Sequence, residues 1–236
     1  MSVTFLDAYP EIKGREMKVS DLFLEELEPV LNEWMRNFAS LDDLFLAMPQ
    51  LYAKLESLSV DGIIEDGVVL SGAVHIGRGA VVHAQTIIHG PSIIGPDTII
   101  DSHTEIQSGC FIGSKCVIGH SCSIVQSMVM NNTKIGAGAF IRNSMIGSGT
   151  VVGPGAALGS IEVERASTPT AHVSSTLGAV IGDCAVVGAN STIKSGTIIG
   201  SRTIVGEGVV ASGIYESNQI VTLIPALDIK VRHDDT

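Results

Sequence analysis

The chain is poor in aromatic residues and in positive charge. Aromatic side chains make up 4% of the 236 residues, and 14 lysines and arginines stand against 25 aspartates and glutamates, which gives a formal net charge of −11. Nucleic acids and anionic membrane surfaces repel a protein of this charge. We therefore expect neither a nucleic-acid partner nor a membrane partner.

Long apolar runs are also missing. No stretch approaches the roughly 18 uninterrupted apolar residues of a membrane-spanning helix. Residues 1–14 carry neither a basic run nor an apolar segment of the length found in signal peptides. These two absences predict a soluble, cytoplasmic protein.

The sequence does contain an aliphatic residue at every sixth position over a long stretch. On an extended chain a step of six keeps all of these side chains on one side, whereas on an α-helix it would scatter them over three faces. The repeat therefore predicts an all-β fold, a parallel β-helix in which each hexad forms one flat side and one corner. The members of the series are Ile64, Leu70, Ile76, Val82, Ile88, Ile94, Ile100, Ile106, Ile112, Ile118, Ile124 and Met130.

The repeat is interrupted in two ways. The spacing shortens to five from Met130 to Ile135 and again from Ile141 to Ile146, which indicates corners that have lost one residue. Residues 160–176 break the repeat altogether and predict an excursion loop, a place where solenoids often carry binding functions.

The periodicity divides the chain into three parts. Residues 61–212 are expected to form about seven coils of about 18 residues each. Residues 213–236 are expected to be a C-terminal capping tail. Residues 1–60 are different in kind, because leucines recur there at helical spacing and Ser40 stands three places before Asp43, as in a capping box. They predict two short α-helices that could cap the first coil, pack along one side or recruit a protein partner.

Three of the four cysteines share one position of the repeat. Cys110, Cys116 and Cys122 occupy the small fourth place of successive hexads, and Cys184 falls just before that place in a later one. Successive hexads lie on different sides of a coil, so these thiols are not expected to pair. They are interpreted as small buried hydrophobic residues in a reducing compartment.

Three segments resemble the hexapeptide-repeat acyltransferase superfamily: VIGHSCSIVQS (117–127), NSMIGSGTVVGPGA (143–156) and LGAVIGDCAVVGANSTIKSGTIIGSRTIV (177–205). The closest match within it is the C-terminal acetyltransferase half of the bifunctional N-acetylglucosamine-1-phosphate uridylyltransferase / glucosamine-1-phosphate acetyltransferase. The resemblance implies left-handed winding of a single-stranded β-helix and a parallel homotrimer with sites in the grooves between subunits. It also implies transfer of an acetyl group from acetyl-CoA, without a metal, to an amino or hydroxyl group of a sugar phosphate or nucleotide-sugar.

The chain departs from that family at several positions. The Gly-rich nucleotide-binding fingerprint of the uridylyltransferase half is absent, so nucleotidyl transfer is not expected. The family's general-base histidine aligns with Ala137, its phosphate-binding arginine with Gln107 and a lysine with Val125, and an Asn–Tyr pair is replaced by Gly159–Ser160. If this chain transfers acetyl groups, it does so with other residues.

Histidines gather on one predicted corner. Counting hexads in threes stacks the sides that start at Val82, Ile100, Ile118 and Ile135, and their corners hold His83, His103, His120 and Ala137. His120 is then one coil, about 4.8 Å, from the place of the family's base. Three interpretations remain open: solvent-exposed corner histidines, His120 as a catalytic base, or a metal site of the carbonic-anhydrase type formed by His83, His103 and His120.

The resemblance supplies the remaining site candidates. His172 lies in the excursion loop, where several acetyltransferases of the superfamily keep their base, so it is the second catalytic candidate. Arg142, Lys194 and Arg202 stand on later coils, where the superfamily binds the phosphates of coenzyme A. The leading hypothesis is therefore an acetyltransferase; the alternatives are a non-catalytic trimeric scaffold or sugar-nucleotide-binding regulator, and a metal-dependent protein of the carbonic-anhydrase type.

Overall fold

The computed structural model describes residues 58–160 and 178–223, which form a three-sided parallel β-solenoid. Its 26 short strands pass through three parallel sheets in turn, so every third strand belongs to the same sheet. The predicted all-β parallel β-helix is confirmed, and its left-handed sense stays a prediction from the resemblance. The described part contains no helix that could span a membrane. The two predicted N-terminal helices lie outside the described residues.

The strands of each sheet are stacked in chain order. Sheet A contains β1 (Ser59–Val60), β4 (Val74–Ile76), β7 (Ser92–Ile94), β10 (Cys110–Ile112), β13 (Met128–Val129), β16 (Met145–Ile146), β19 (Val180–Ile181), β22 (Ile198–Ile199) and β25 (Ile214–Tyr215). Sheet B contains β2 (Ile63–Ile64), β5 (Val81–Val82), β8 (Ile99–Ile100), β11 (Val117–Ile118), β14 (Lys134–Ile135), β17 (Val151–Val152), β20 (Val186–Val187), β23 (Ile204–Val205) and β26 (Ile220–Val221). Sheet C contains β3 (Val69–Ser71), β6 (Ile87–His89), β9 (Glu105–Ile106), β12 (Ser123–Val125), β15 (Phe140–Arg142), β18 (Ala157–Ser160), β21 (Thr192–Lys194) and β24 (Val210–Ala211). The turns between them define an A–B corner, a B–C corner and a C–A corner.

The solenoid is longer than the predicted seven coils, because sheets A and B contain nine strands each. Strand β1 precedes residue 61, and β25 and β26 lie in the segment expected as a capping tail. Tyr215 explains part of the difference. It takes the place of an aliphatic residue and packs against the core, so the last coil does not show the aliphatic pattern.

One step of the predicted register is wrong. Val129, and not Met130, pairs with Ile112 and belongs to the core cluster. The first shortened step therefore runs from Ile124 to Val129. Val129 and Met130 are both fully buried, so an aliphatic pattern alone does not distinguish them. The second shortened step, from Ile141 to Ile146, is confirmed because both residues lie in the core.

Small polar residues of the repeat close the corners from inside. Buried hydroxyl groups donate hydrogen bonds to carbonyl groups of the next coil, from Thr98 to Gly113 at 2.7 Å and from Thr104 to Gly119 at 2.9 Å. The thiol of Cys116 makes the same kind of contact at 3.0 Å, to the carbonyl of Met130. Buried polar groups need such partners, which explains why the fourth place of the hexad is small and often polar.

The outer faces of sheets A and B differ. Four outward-facing side chains of sheet A, those of Met128, Met145, Val180 and Ile198, are at most 1% exposed although they lie outside the core cluster. On sheet B the corresponding aliphatic side chains are about two-fifths exposed, at Ile99 40%, Val117 41%, Val151 40% and Ile204 42%. The middle of the outer face of sheet A is therefore buried within the chain, whereas the outer face of sheet B is open to solvent.

Candidate functional site at the B–C corner

The predicted gathering of histidines on one corner is confirmed. Strands β5, β8, β11 and β14 pair in register, with Val82 beside Ile100, Ile100 beside Ile118 and Ile118 beside Ile135. The corner residues that follow these strands are therefore stacked one coil apart. They are His83 in the first corner position, His103 in the third, and His120 and Ala137 in the second.

His120 lies directly next to the place where the resemblance implies a base. The amide of Gly138 donates to the carbonyl oxygen of His120 at 2.8 Å, so the corner with Ala137 stacks on the corner with His120. The imidazole itself is exposed. It can therefore meet a substrate that approaches this corner from outside.

Two neighbours hold the imidazole of His120. Its Nδ1 lies 3.1 Å from the hydroxyl oxygen of Ser102, one coil earlier at the same corner position. The ring of His103 packs against it edge-on, with ring centroids 5.0 Å apart and an angle of 63° between the planes. His103 adopts a left-handed backbone conformation with φ of 59°, as the third residue of this corner does in several coils. These contacts leave Nε2 as the nitrogen available to a ligand.

The Ser102 hydroxyl also contacts a carboxylate. Oδ1 of Asp101 accepts the backbone N–H of Ser102 at 2.7 Å and lies 3.4 Å from the Ser102 hydroxyl. The corner therefore contains a chain of groups that runs from Asp101 through Ser102 to His120. The histidine count did not reveal it. An 18-residue spacing from Ser102 to His120, one coil in length, predicts that the two residues stack, but it does not predict the hydrogen bond between their side chains.

His83 is engaged in a separate pair. Its Nδ1 lies 2.9 Å from Oε1 of Glu65, and the amide of Ala84 donates to Oε2 of the same carboxylate at 2.9 Å. The hydrogen bond from His83 and that from Ala84 lower the pKa of Glu65 below its usual value of 4.5. His83 therefore faces Glu65 on the preceding coil. In the described ranges no three His, Cys, Asp or Glu side chains are arranged to hold a metal ion, so the zinc hypothesis finds no ligand set there.

The three cationic candidates do not lie together. Arg142 and Lys194 end strands β15 and β21 of sheet C, so both stand exposed at the C–A corner. Strand β18 lies between them, which sets the two backbones about 10 Å apart. Arg202 lies at the A–B corner, where its Nε donates to Oδ1 of Asn218 at 2.8 Å. Only Arg142 and Lys194 can bind one phosphate-bearing ligand of the same subunit together.

The described chain is interrupted beside these two cations, where the sequence predicts the excursion loop. Strand β18 ends at Ser160, which is in register with Lys194, and the chain is described again from Gly178. His172 lies outside the described residues. Its proposed role as a base stays a prediction.

A concavity lies at the A–B corner of the described part. It is a shallow depression lined by Pro96, Asp97, Ser114, Lys115, Asn131 and Asn132. It contains neither histidine nor any of the three cationic candidates. The chemistry expected of an acyl-transfer site is therefore concentrated on the two edges of sheet C.

Comparisons with known proteins agree with the repeat architecture. Residues 88–166 match a family model described as the GMPPB C-terminal domain. That match spans about a third of the chain and, with the stacked hexads, agrees with the predicted hexapeptide-repeat architecture. No curated protein matches the chain.

Several solved structures align with this one. The acetyltransferase domain of PglB from Neisseria gonorrhoeae FA1090, in complex with acetyl coenzyme A, is 15% identical, with 77% of this chain and 63% of that chain covered and a TM-score of 0.32. GDP-perosamine N-acetyl transferase from Caulobacter crescentus, a mutant in complex with CoA and GDP-perosamine, is 21% identical, with coverages of 80% and 75% and a TM-score of 0.30. UDP-N-acetylglucosamine acyltransferase from Francisella novicida is 13% identical, with coverages of 70% and 66% and a TM-score of 0.37.

Proposed function

We propose that this chain is a coenzyme-A-dependent acetyltransferase that acts on an amino or hydroxyl group of a sugar phosphate or nucleotide-sugar, with His120 as general base. The observation that carries the proposal is the position of His120. It is an exposed imidazole one coil from Ala137, with Nδ1 held by Ser102 and Nε2 left for a substrate. A base one coil away from the family's position serves an acceptor that is displaced along the solenoid by about 4.8 Å.

The proposed step balances with the groups present. Nε2 of His120 takes a proton from the acceptor amine or hydroxyl as that group attacks the thioester carbonyl of acetyl-CoA. The new C–N or C–O bond forms, the C–S bond breaks, and the thiolate of coenzyme A takes the proton from the His120 imidazolium, which becomes neutral again. A neutral imidazole has the proton affinity for this task near neutral pH.

Arg142 and Lys194 are the proposed contacts for the phosphates of the coenzyme. They stand on the C–A corner, while His120 stands on the B–C corner, so the outer face of sheet C lies between the two groups. An elongated cosubstrate that crosses one flat side would have its phosphates at one edge and its thioester at the other. Arg202 lies on the A–B corner, so it can contact the phosphates of the same coenzyme molecule only from a neighbouring subunit.

We also propose that the protein is a cytoplasmic homotrimer. A flat-sided prism offers little concave surface of its own, and a groove between two prisms would supply it. The exposed aliphatic side chains of sheet B, such as Val117 and Val151, support association through a flat face.

Acetyl transfer tests the proposal directly. Purified protein is titrated calorimetrically with acetyl-CoA, coenzyme A and UDP-N-acetylglucosamine, and then incubated with labelled acetyl-CoA and a panel of amino-sugar phosphates and nucleotide-sugars. We expect micromolar coenzyme binding and transfer of label, and a loss of roughly 10²–10⁴-fold in rate for His120→Ala. The control is His89→Ala, an exposed histidine on the C–A corner, which should leave the rate unchanged.

A non-catalytic trimer derived from such an enzyme is the second candidate. Two positions that contact ligand in the family support it. Val125 is only 9% exposed where the family has a lysine, and the amide of Gln107 is bound to Glu105 at 3.1 Å where the family has an arginine. Binding of UDP-N-acetylglucosamine without binding of coenzyme A would favour this function and reject the transferase.

A further inference from the structure

We propose that Ser102 is a positioning residue that fixes the tautomer of His120, with Asp101 as the final acceptor of the hydrogen-bond chain. This inference rests on the proposed function for its catalytic meaning. The tautomer itself is a property of the free protein and is measured without substrate.

The solenoid places Ser102 beside His120 by its period. Both residues are second in a B–C corner, on adjacent coils whose strands pair Ile100 with Ile118. The amide of Ser121 donates to the carbonyl of Ser102 at 3.1 Å, which joins the two corners next to the side-chain contact. The second-position neighbours beyond this pair are Ala84 and Ala137. Neither alanine has a polar side chain, so among the residues at this corner position Ser102 is the one that can form a hydrogen bond with the imidazole of His120.

The carboxylate decides the direction of the hydrogen bonds. An ionised carboxylate can only accept, so the hydrogen on the Ser102 hydroxyl is attracted to Oδ1 of Asp101, 3.4 Å away. The hydroxyl oxygen then presents a lone pair to Nδ1 of His120 at 3.1 Å, and Nδ1 must carry the proton. The opposite arrangement would point a serine lone pair at the carboxylate, which is electrostatically unfavourable. The favoured arrangement protonates Nδ1 and leaves the lone pair on Nε2.

This arrangement gives His120 the form that a general base requires. A base must accept a proton with the nitrogen that faces the substrate, and a hydrogen bond at the other nitrogen selects that tautomer. The edge-on ring of His103, with its centroid 5.0 Å from that of His120, limits rotation of the imidazole. Asp101 supplies a negative charge at the end of the chain once the imidazole becomes positive.

Nitrogen NMR of the full-length protein tests the tautomer. In ¹⁵N-labelled protein at a pH where the imidazole is neutral, His120 should show a protonated Nδ1 and an unprotonated Nε2. Ser102→Ala should convert this signal to a mixture of tautomers, and Ser102→Thr, which keeps the hydroxyl, should restore it. Ser108→Ala, an exposed serine on the C–A corner, is the matched control. A protonated Nε2 in the unsubstituted protein, or an unchanged spectrum in Ser102→Ala, would overturn the inference.

Kinetics supply the second readout. Once an acceptor is identified, Ser102→Ala should lower kcat by roughly 10–100-fold, the loss that follows removal of the partner that orients a metal-binding histidine, with little change in KM. Ser102→Thr should recover most of the rate. If no acetyl transfer is found but NMR shows the expected tautomers, the proposed function fails and the positioning role stands. A rise in KM at constant kcat would reject the positioning role.

Discussion

At the residue scale, the buried cysteines show how the narrow core changes side-chain chemistry. Burial raises the pKa of the Cys110 thiol to about 12 and that of Cys116 to about 11, and it also raises the pKa of Cys122. Each is surrounded by aliphatic side chains that cannot solvate a thiolate. Cys184, on the A–B corner, is exposed.

We expect reactivity and alkaline stability to follow from this difference. A thiol reagent at pH 8 should modify Cys184 in the native protein and reach Cys110 and Cys116 only after unfolding, because the thiolate is the nucleophile. The ordinary pKa of a cysteine thiol is 9.0, so above that pH a thiol of the unfolded chain loses its proton. In the folded protein the thiols of Cys110 and Cys116 keep their protons until the pH approaches their raised pKa values of about 12 and about 11. The free energy of unfolding should therefore fall as the pH rises from 9 towards 12.

Peptide mass spectrometry checks the labelling, and urea unfolding at pH 8, 9, 10 and 11 checks the stability. Lysines and tyrosines also titrate in this range, so the comparison is with a variant that carries Cys110→Ala and Cys116→Ala. Its stability should fall less steeply with pH than that of the parent protein. Equal slopes, or early labelling of Cys110, would contradict the prediction.

At the element scale, the corner is the unit that decides which glycines are needed. Gly136 and Gly138 belong to the same B–C corner but face different constraints. A Cβ on Gly136 would come within 2.8 Å of the backbone carbon of Gly153 on the next coil and still closer to the nitrogen of Pro154, whereas a Cβ on Gly138 would meet nothing within 4 Å. Gly138 has a φ of 67°, a left-handed backbone conformation that is less favourable for any residue with a side chain.

The two alanine variants should therefore differ in stability. Gly138→Ala should cost about 1 kcal/mol, the price of a left-handed backbone, as the presence of His103 and Ser121 at equivalent positions suggests. Gly136→Ala should cost about 3 kcal/mol, because stacked backbones must move apart. Urea denaturation of both variants measures the difference, and equal midpoints would show that the coils separate easily.

The hexad predicts the elements well because one spacing serves every coil. The hexad count does not place the register where two adjacent residues are both apolar and buried, as Val129 and Met130 are. Val129 lies in the core cluster and Met130 does not, but their residue types do not reveal which is which. The site was predicted in part for a similar reason. Register fixes the distance from His120 to Ala137, but the side-chain contact with Ser102 depends on rotamers that no spacing encodes. Arg202 was grouped with Arg142 because both stand on later coils, and the coil alone does not determine the corner on which a residue lies.

At the scale of the whole molecule, the outer faces of the solenoid determine how it can associate. Sheet B presents an aliphatic row along most of its length, and Val117 near its middle is 41% exposed. Sheet A is also apolar on its outer face, but there Met128 is 0% exposed within the single chain. An open aliphatic row on a flat face is a typical surface for association.

Two substitutions that add the same charge should then act differently. Ile99→Glu places a carboxylate on the open face of sheet B, where its partners on the neighbouring strands are Val81 and Val117. The chain should stay folded while the proposed trimer dissociates, because a buried unpaired charge at the interface is costly. Met128→Glu places the carboxylate in a buried layer, so it should unfold or strongly destabilise the subunit itself. Analytical ultracentrifugation gives the mass, and circular dichroism with thermal unfolding gives the integrity of the fold. A monomeric parent protein would reject the trimer. An Ile99→Glu variant that stays trimeric would instead place the interface on another face and leave the row on sheet B without a role in assembly.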